Sequence, residues 1–178
     1  MNNSNYDHKA ALRSIRGAQN RAEGNAFEEY IEKSCKHYSD TAVAFIEKTP
    51  EPFQITRALP QGKFEGYFSK KAQPDYKGTL RGGKTIVFDA KATSTEKIEL
   101  SALTTEQQEC LSMHMLLGAE AGVLLCYSFR DFAYIPFETF MRAKELNGHK
   151  HWTVEESKAF AVRMKNGYLD FLTGRRVR

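Results

Sequence analysis

The spacing of apolar and polar residues divides the chain into one helix, a series of short strands, and a second group of helices. From Gln19 to Tyr38, Ala22, Ala26, Phe27, Tyr30, Ile31 and Ser34 form one apolar or small stripe. Glu23, Glu29, Glu32, Lys33 and Lys36 lie outside it, which predicts an amphipathic helix. Glu28 sits beside the stripe, where a helix presents it to the rim of a core. Thr41–Lys48 (TAVAFIEK) reads as a strand, punctuated by Thr49-Pro50-Glu51-Pro52. Phe53–Leu59 and Lys63–Phe68 are extended runs around Pro60-Gln61-Gly62, a hairpin expected to project from the body. Asp75–Leu80 and Lys84–Thr93 form a second hairpin across Arg81-Gly82-Gly83. Leu103, Gln107, Cys110, Leu111, His114 and Leu117 recur at helical spacing, predicting a helix over Ser101–Leu117 with Ser101 as N-cap and Gly118 and Gly122 ending it. Ala121–Phe129 then reads as a buried strand and Phe132–Ile135 as its hairpin partner. Phe137–Leu146 and Thr153–Lys165 are expected to be helical. This order predicts a single mixed α/β domain.

Composition narrows the class. With 178 residues, 41% apolar and 27% charged, the chain can bury a core without disulfide staples and is not a disordered polymer. The longest apolar run, Ala121–Tyr127, is far short of the ~20 residues of a membrane span. The polar N-terminus lacks the apolar core of a secretory signal. Cys35, Cys110 and Cys126 lie far apart and in no paired motif, the pattern of reduced thiols in a cytoplasmic protein. His149 and His151 have no cysteine pair to complete a zinc site.

The net charge of +4 is mild, but its placement is not uniform. Residues 61–91 hold seven Lys or Arg against three acids, and Arg175, Arg176 and Arg178 crowd the C-terminus. Residues 1–18 read as a basic, mobile arm ahead of one domain over residues 19–178. Clustered positive charge suits a polyanion, because each neutralised phosphate releases condensed counterions. A solvated basic surface explains the charge about as well.

The chemistry concentrates at Pro74-Asp75-Tyr76 and Asp89-Ala90-Lys91, with thirteen residues between the two aspartates. Side chains alternate along a strand, so Ile86, Phe88 and Ala90 share an apolar face directed to the core. Val87, Asp89 and Lys91 share the other, and on a half-buried strand Asp89 and Lys91 emerge together. The hairpin folds Asp75 back toward them. Two carboxylates are the usual protein share of a Mg²⁺ site, with water and a substrate phosphate completing the octahedron. A neighbouring ammonium can orient an attacking water or steady charge on a phosphorane. The competing reading, a surface Asp–Lys pair and an unrelated turn aspartate, has the common D-x-K spacing in its favour and the hairpin context against it.

This P-D-x13-D-x-K pattern resembles the PD-(D/E)xK nuclease superfamily. Pro74-Asp75-Tyr76-Lys77-Gly78, Phe88-Asp89-Ala90-Lys91-Ala92-Thr93 and Ile98-x-Leu100-x-x-Leu103-x-x-x-Gln107 resemble the RecU family of Holliday junction resolvases. So do Val43–Ile55, Asn20–Glu29 and Tyr168–Leu172, and the resemblance spans roughly residues 20–172. It implies a restriction-endonuclease-like fold, a mixed central sheet flanked by helices, with a projecting stalk over about residues 56–72. It also implies that Asp75 and Asp89 ligate Mg²⁺ (Mn²⁺ substituting), that Lys91 is the catalytic lysine and that Gln107 joins the metal shell, with Gln108 as its alternative. Glu28 corresponds to an acid of the first helix found near many superfamily sites. Two positions depart from the family's usual pattern: Asp89 stands for Glu, and Gln73 for the Thr two residues before the first aspartate. The stalk offers Arg57, Lys63, Lys70 and Lys71 among Phe64, Tyr67 and Phe68, a mixture suited to phosphate contact and base stacking. Burial of Tyr67 and Phe68 against the body or a partner is the somewhat stronger expectation for those two rings. Arg13, Arg16 and Arg21 match a DNA-binding arm in position.

The function so implied is a metal-dependent endonuclease that resolves four-way DNA junctions as a homodimer in the cytoplasm, with a recombinase as a further candidate partner and no membrane association. Symmetric nicking by two sites suits a two-fold dimer. Another nuclease of the superfamily and a non-catalytic DNA-binding or recombinase-modulating protein are the alternatives; the intact Asp75, Asp89 and Lys91 set speaks against the second.

Overall fold

A computed structural model describes residues 22, 24–50, 53–68 and 73–173. Helix α1 (residues 24–40) is followed by β1 (Ala44–Lys48), β2 (Phe53–Ala58), β3 (Phe64–Phe68), β4 (Tyr76–Leu80), β5 (Thr85–Thr93) and β6 (Lys97–Glu99). Then come α2 (Thr105–Leu116), β7 (Glu120–Tyr127), β8 (Asp131–Pro136), α3 (Phe137–Met141), α4 (Ala143–Asn147), β9 (His151–Thr153), α5 (Val154–Ser157), β10 (Arg163–Lys165) and β11 (Tyr168–Asp170). The central sheet runs β1-β4-β5-β7-β8. Among the described residues only the β5–β7 pair is parallel, and α2 provides the crossover that such a pair requires. The mixed sheet with helices is the architecture expected from the sequence.

Strand alternation feeds two separate cores. Ile86, Phe88, Leu124, Cys126 and Tyr134 meet Phe27, Ile31, Cys35 and Tyr38 of α1 on one face. Val87, Val123, Leu125 and Ile135 meet Leu103, Leu111, Phe137, Phe140 and Trp152 on the other. Each such side chain, removed from water, contributes about 1.5–3 kcal/mol. The stripe of α1 is therefore rotated slightly from the predicted one: Ala22 is exposed, whereas Cys35 and Tyr38 are buried. Polar groups fasten it. Ser34 Oγ donates to Tyr30 O at 2.7 Å and accepts from Leu169 N at 2.8 Å, and Tyr38 Oη donates to Leu169 O at 3.0 Å.

Several expected boundaries move, each for a local reason. Helix α2 begins at Thr105 instead of Ser101, which lies in a 3₁₀ turn. Thr104 is the N-cap: its hydroxyl accepts from Gln107 N and Gln107 Oε1 accepts from Thr104 N, a reciprocal capping box. Gly118 follows the helix in the left-handed region, but Gly122 lies inside β7, where a Cβ would come 2.2 Å from the Tyr134 ring. The helix expected over Phe137–Leu146 is broken at Arg142 into α3 and α4. That expected over Thr153–Lys165 lasts one turn plus a 3₁₀ turn. Arg163–Lys165 pairs antiparallel with Tyr168–Asp170 across Asn166-Gly167, both at positive φ, the Asn-Gly signature of a tight hairpin. The first strand starts at Ala44, not Thr41, because α1 runs on to Asp40.

The hairpin β2–β3 forms its own two-stranded sheet, and every residue of β2 is exposed. It projects as expected, but Tyr67 is 59% exposed, so that ring does not bury against the body.

Phe88 is fully buried between the rings of Tyr76, Tyr134 and Phe171, with centroids 4.9–5.9 Å away. Phe88→Ala is expected to lower the unfolding free energy by about 3–5 kcal/mol, measured from urea midpoints. A loss below about 1 kcal/mol would contradict this packing.

Candidate active site

The site forms on the α2 side of β5, where Val87, Asp89 and Lys91 point. That face is not half-open as the alternation alone suggested. Helix α2 covers it, and Asp89 is 0% exposed. Pairing places Tyr76 opposite Phe88, which brings Asp75 level with Asp89. The chain is held there on both sides: Asp75 O accepts from Thr49 N at 2.8 Å, and Asp75 Oδ2 accepts from Ala90 N at 2.9 Å.

Gln107 joins the acid to the lysine. Its Nε2 donates to Asp89 Oδ1 at 2.9 Å, and its Oε1 accepts from Lys91 Nζ at 3.3 Å. Lys91 Nζ stands 3.9 Å from Asp89 Oδ1. The capping box with Thr104 fixes the first turn of α2 and so aims Gln107 at the strand. Gln108 points away, donating to Leu103 O at 2.9 Å. Of the two glutamines, Gln107 is the one that reaches Asp89.

Asp89 Oδ2 is buried with no hydrogen-bond partner among the described residues. Burial, and then the like charge of Asp75, push the Asp89 carboxyl from its ordinary 3.8 up to about 7, with Lys91 pulling the other way. A desolvated, unpartnered carboxylate oxygen beside a second carboxylate fits a hard divalent cation that takes oxygen ligands. Among the described residues, no three His, Cys, Asp or Glu side chains gather as a metal site. The side-chain oxygen of Gln107 faces Lys91 and Thr104 N in this arrangement.

Glu28 is brought only to the margin. Its Oε2 accepts from Lys48 Nζ at 2.6 Å, and Lys48 is paired in register with Tyr76, one residue from Asp75. Lys48 went unremarked in the sequence; its link to the acids depends on β1 pairing with β4, which local pattern does not reveal. Thr104 was also missed, although the Thr-x-x-Gln spacing signals it. Gln73 is exposed. Arg57 and Lys63 are exposed on the β2–β3 hairpin, whereas Arg13, Arg16, Arg21, Lys70 and Lys71 lie outside the described residues.

The model of a known family, described as Recombination protein U (RecU), matches residues 22–174. The chain belongs to the RecU family. A Holliday junction resolvase RecU of Pediococcus pentosaceus is 43% identical over 77 residues, 40% of this chain and 37% of that protein. One of Streptococcus sanguinis is 34% identical over 104 residues, covering 52% of each chain, and one of Bacillus cereus is 25% identical over 155 residues, covering 82% and 77%. The matched segments thus span from about a third to half the length of the first two relatives. The solved structure of Archaeoglobus fulgidus Hjc, a Holliday junction resolvase, superposes with a TM-score of 0.40 at 16% identity, covering 61% of this chain and 75% of that one.

The buried acid has a pH signature. An acid whose folded-state pKa is raised favours folding in its neutral form, so its stabilising share is complete below the ordinary carboxyl range and is lost as pH rises through about 7. In EDTA, wild-type Tm is expected to fall relative to Asp89→Asn between about pH 4 and about pH 8. Added divalent cation should restore the wild type and not the variant. A wild-type Tm that tracks the variant across this range would show that Asp89 carries no buried charge.

Proposed function

We propose that this RecU-family chain is a metal-dependent endonuclease that resolves four-way (Holliday) DNA junctions by phosphodiester hydrolysis. The reading rests chiefly on Asp89, whose Oδ2 is buried without a partner among the described residues and whose Oδ1 lies 3.9 Å from Lys91 Nζ. The family's match over residues 22–174 supports it independently of that geometry.

Asp75 and Asp89 would hold the cation, Mg²⁺ with Mn²⁺ as a substitute. When bound, such an ion supplies Lewis acidity toward a phosphodiester and offsets the repulsion between the two acids. Lys91 presents an ammonium to the same space, where it can orient a water molecule and steady the extra negative charge of a five-coordinate phosphorus. Gln107 keeps Lys91 and Asp89 in mutual register, because one amide contacts both. Lys48, charged and tied to Glu28, adds positive potential at the Asp75 end. The exposed hairpin with Arg57, Lys63, Phe64 and Tyr67 suits contact with the branch, where phosphates lie close and bases can be unpaired.

Paired symmetric nicks call for two copies of the site related by a two-fold axis, so the reading includes a homodimer. It also puts the activity in the cytoplasm, with the DNA, and keeps a recombinase as a candidate partner. Among the described residues, no helix is long and apolar enough to cross a membrane.

Purified protein is expected to nick a synthetic mobile junction at paired positions in Mg²⁺ and to cut linear duplex far less. Equal cutting of both would reduce the reading to a general nuclease, and binding without cutting in Mg²⁺ or Mn²⁺ would leave a DNA-binding protein. Asp75→Asn and Asp89→Asn should abolish cleavage and retain junction binding. Lys91→Ala should lower single-turnover rate about 10²–10³-fold, as for loss of a transition-state donor. Gln107→Ala should slow cleavage where Gln108→Ala does not; the reverse order would overturn the assignment of Gln107.

A further inference from the structure

Two clefts share Lys97 in their lining, and their charge distinguishes them. The larger, ≈470 Å³, carries Lys97, Arg130 and Lys158 against Glu96, Asp131 and Glu155, so its lining is charge-balanced. The other, ≈400 Å³, begins at Lys91 and is walled by Thr93, Thr95, Lys97, Glu99 and Ser101. It holds two ammonium groups to one carboxylate, with hydroxyls between them. Its volume is that of a nucleotide-sized ligand, within the common range of small-molecule sites.

Local structure fixes Lys97 at the far end. Thr95 Oγ1 donates to Lys97 O at 3.0 Å, and Thr95 N donates to Thr93 Oγ1 at 3.1 Å, so the turn between β5 and β6 is tied internally. Pairing of β6 with β9 buries Ile98 and turns Lys97 and Glu99 outward together. There Lys97 Nζ donates to Glu99 Oε1 at 2.8 Å, with both side chains about half exposed. An ion pair at such exposure is weak, and a phosphate can displace the carboxylate. His151 stands on the far side of Glu99, 3.9 Å from its Oε2, and gives that carboxylate a second place to rest.

We propose that this cleft receives the DNA backbone phosphate adjacent to the one cut, with Lys97 as its counter-charge and Glu99 as the internal anion that Lys97 leaves when DNA binds. The inference deepens the nuclease reading and rests on it for the identity of the cut phosphate. Glu99 then acts as a brake on affinity: it competes for Lys97 in free protein and repels the backbone in the complex. The two neighbours therefore have opposite effects when neutralised, which a merely structural pair would not show.

Binding of a labelled four-way junction in Ca²⁺ tests this, with cleavage in Mg²⁺ measured separately. Lys97→Gln is expected to weaken binding about fivefold and to reduce the slope of log K against log salt by about one. Glu99→Gln should tighten binding, and Lys97→Arg should restore it. A neutral methylphosphonate at the phosphate flanking the mapped nick should abolish the difference between wild type and Lys97→Gln. Unchanged affinity and salt slope in Lys97→Gln, or weakening by Glu99→Gln, would overturn the subsite while cleavage by wild type upheld the nuclease. If wild type binds without cutting in any divalent metal, the nuclease reading fails, and the opposite shifts of Lys97→Gln and Glu99→Gln still decide the phosphate site. Absence of DNA binding would remove both.

Discussion

The rest of the molecule is arranged around a carboxylate held out of water on the central strand of its sheet. A charge of that kind is costly wherever nothing compensates it. Here one oxygen of Asp89 is met by Gln107 and, at longer range, by Lys91, while the other faces a second acid and meets no donor among the described residues. Such an arrangement persists because the cores on either side of β5 hold the strand rigidly. A divalent cation held between the two acids would turn this local cost into affinity.

The position of the strand matters as much as its residues. With β4 on one side and β7 on the other, β5 has no edge, and both its faces are covered. Asp89 lies on β5 and Asp75 immediately precedes β4, its antiparallel neighbour, so their placement follows from the pairing of Tyr76 with Phe88. Lys91 and Gln107 come from the same strand and from the helix crossing it. None of these groups depends on a long loop for its position, which is the condition for a precisely held constellation.

Charge and exposure divide the surface around this rigid centre. The β2–β3 hairpin presents Arg57 and Lys63 beside exposed Phe64 and Tyr67, away from the body. The cleft from Lys91 to Lys97 lies close in, on the turn that follows β5. A branched polyanion offers both a local phosphate and a distant crossover, and these two surfaces suit the two tasks. The first needs fixed charges at short range; the second needs reach and ring area.

Elements with strong period or punctuation were legible in the order of residues alone: the first helix, the Arg81–Lys84 hairpin, the buried strand ending at Tyr127, and the convergence of Asp75, Asp89 and Lys91 at one end of that hairpin. Those follow from alternation and turn chemistry, which act over a few residues. At the Thr104-x-x-Gln107 cap and the Asn166-Gly167 turn, helical spacing nearby matches a longer helix equally well, so the local signal competes with it. Tertiary structure alone decided that the Asp89 face is covered, that Glu28 is held by Lys48, and that Lys97 faces the same cleft as Lys91. Each depends on strand order or on packing between residues distant in the chain. No local pattern encodes that proximity; only the folded arrangement of strands and helices does.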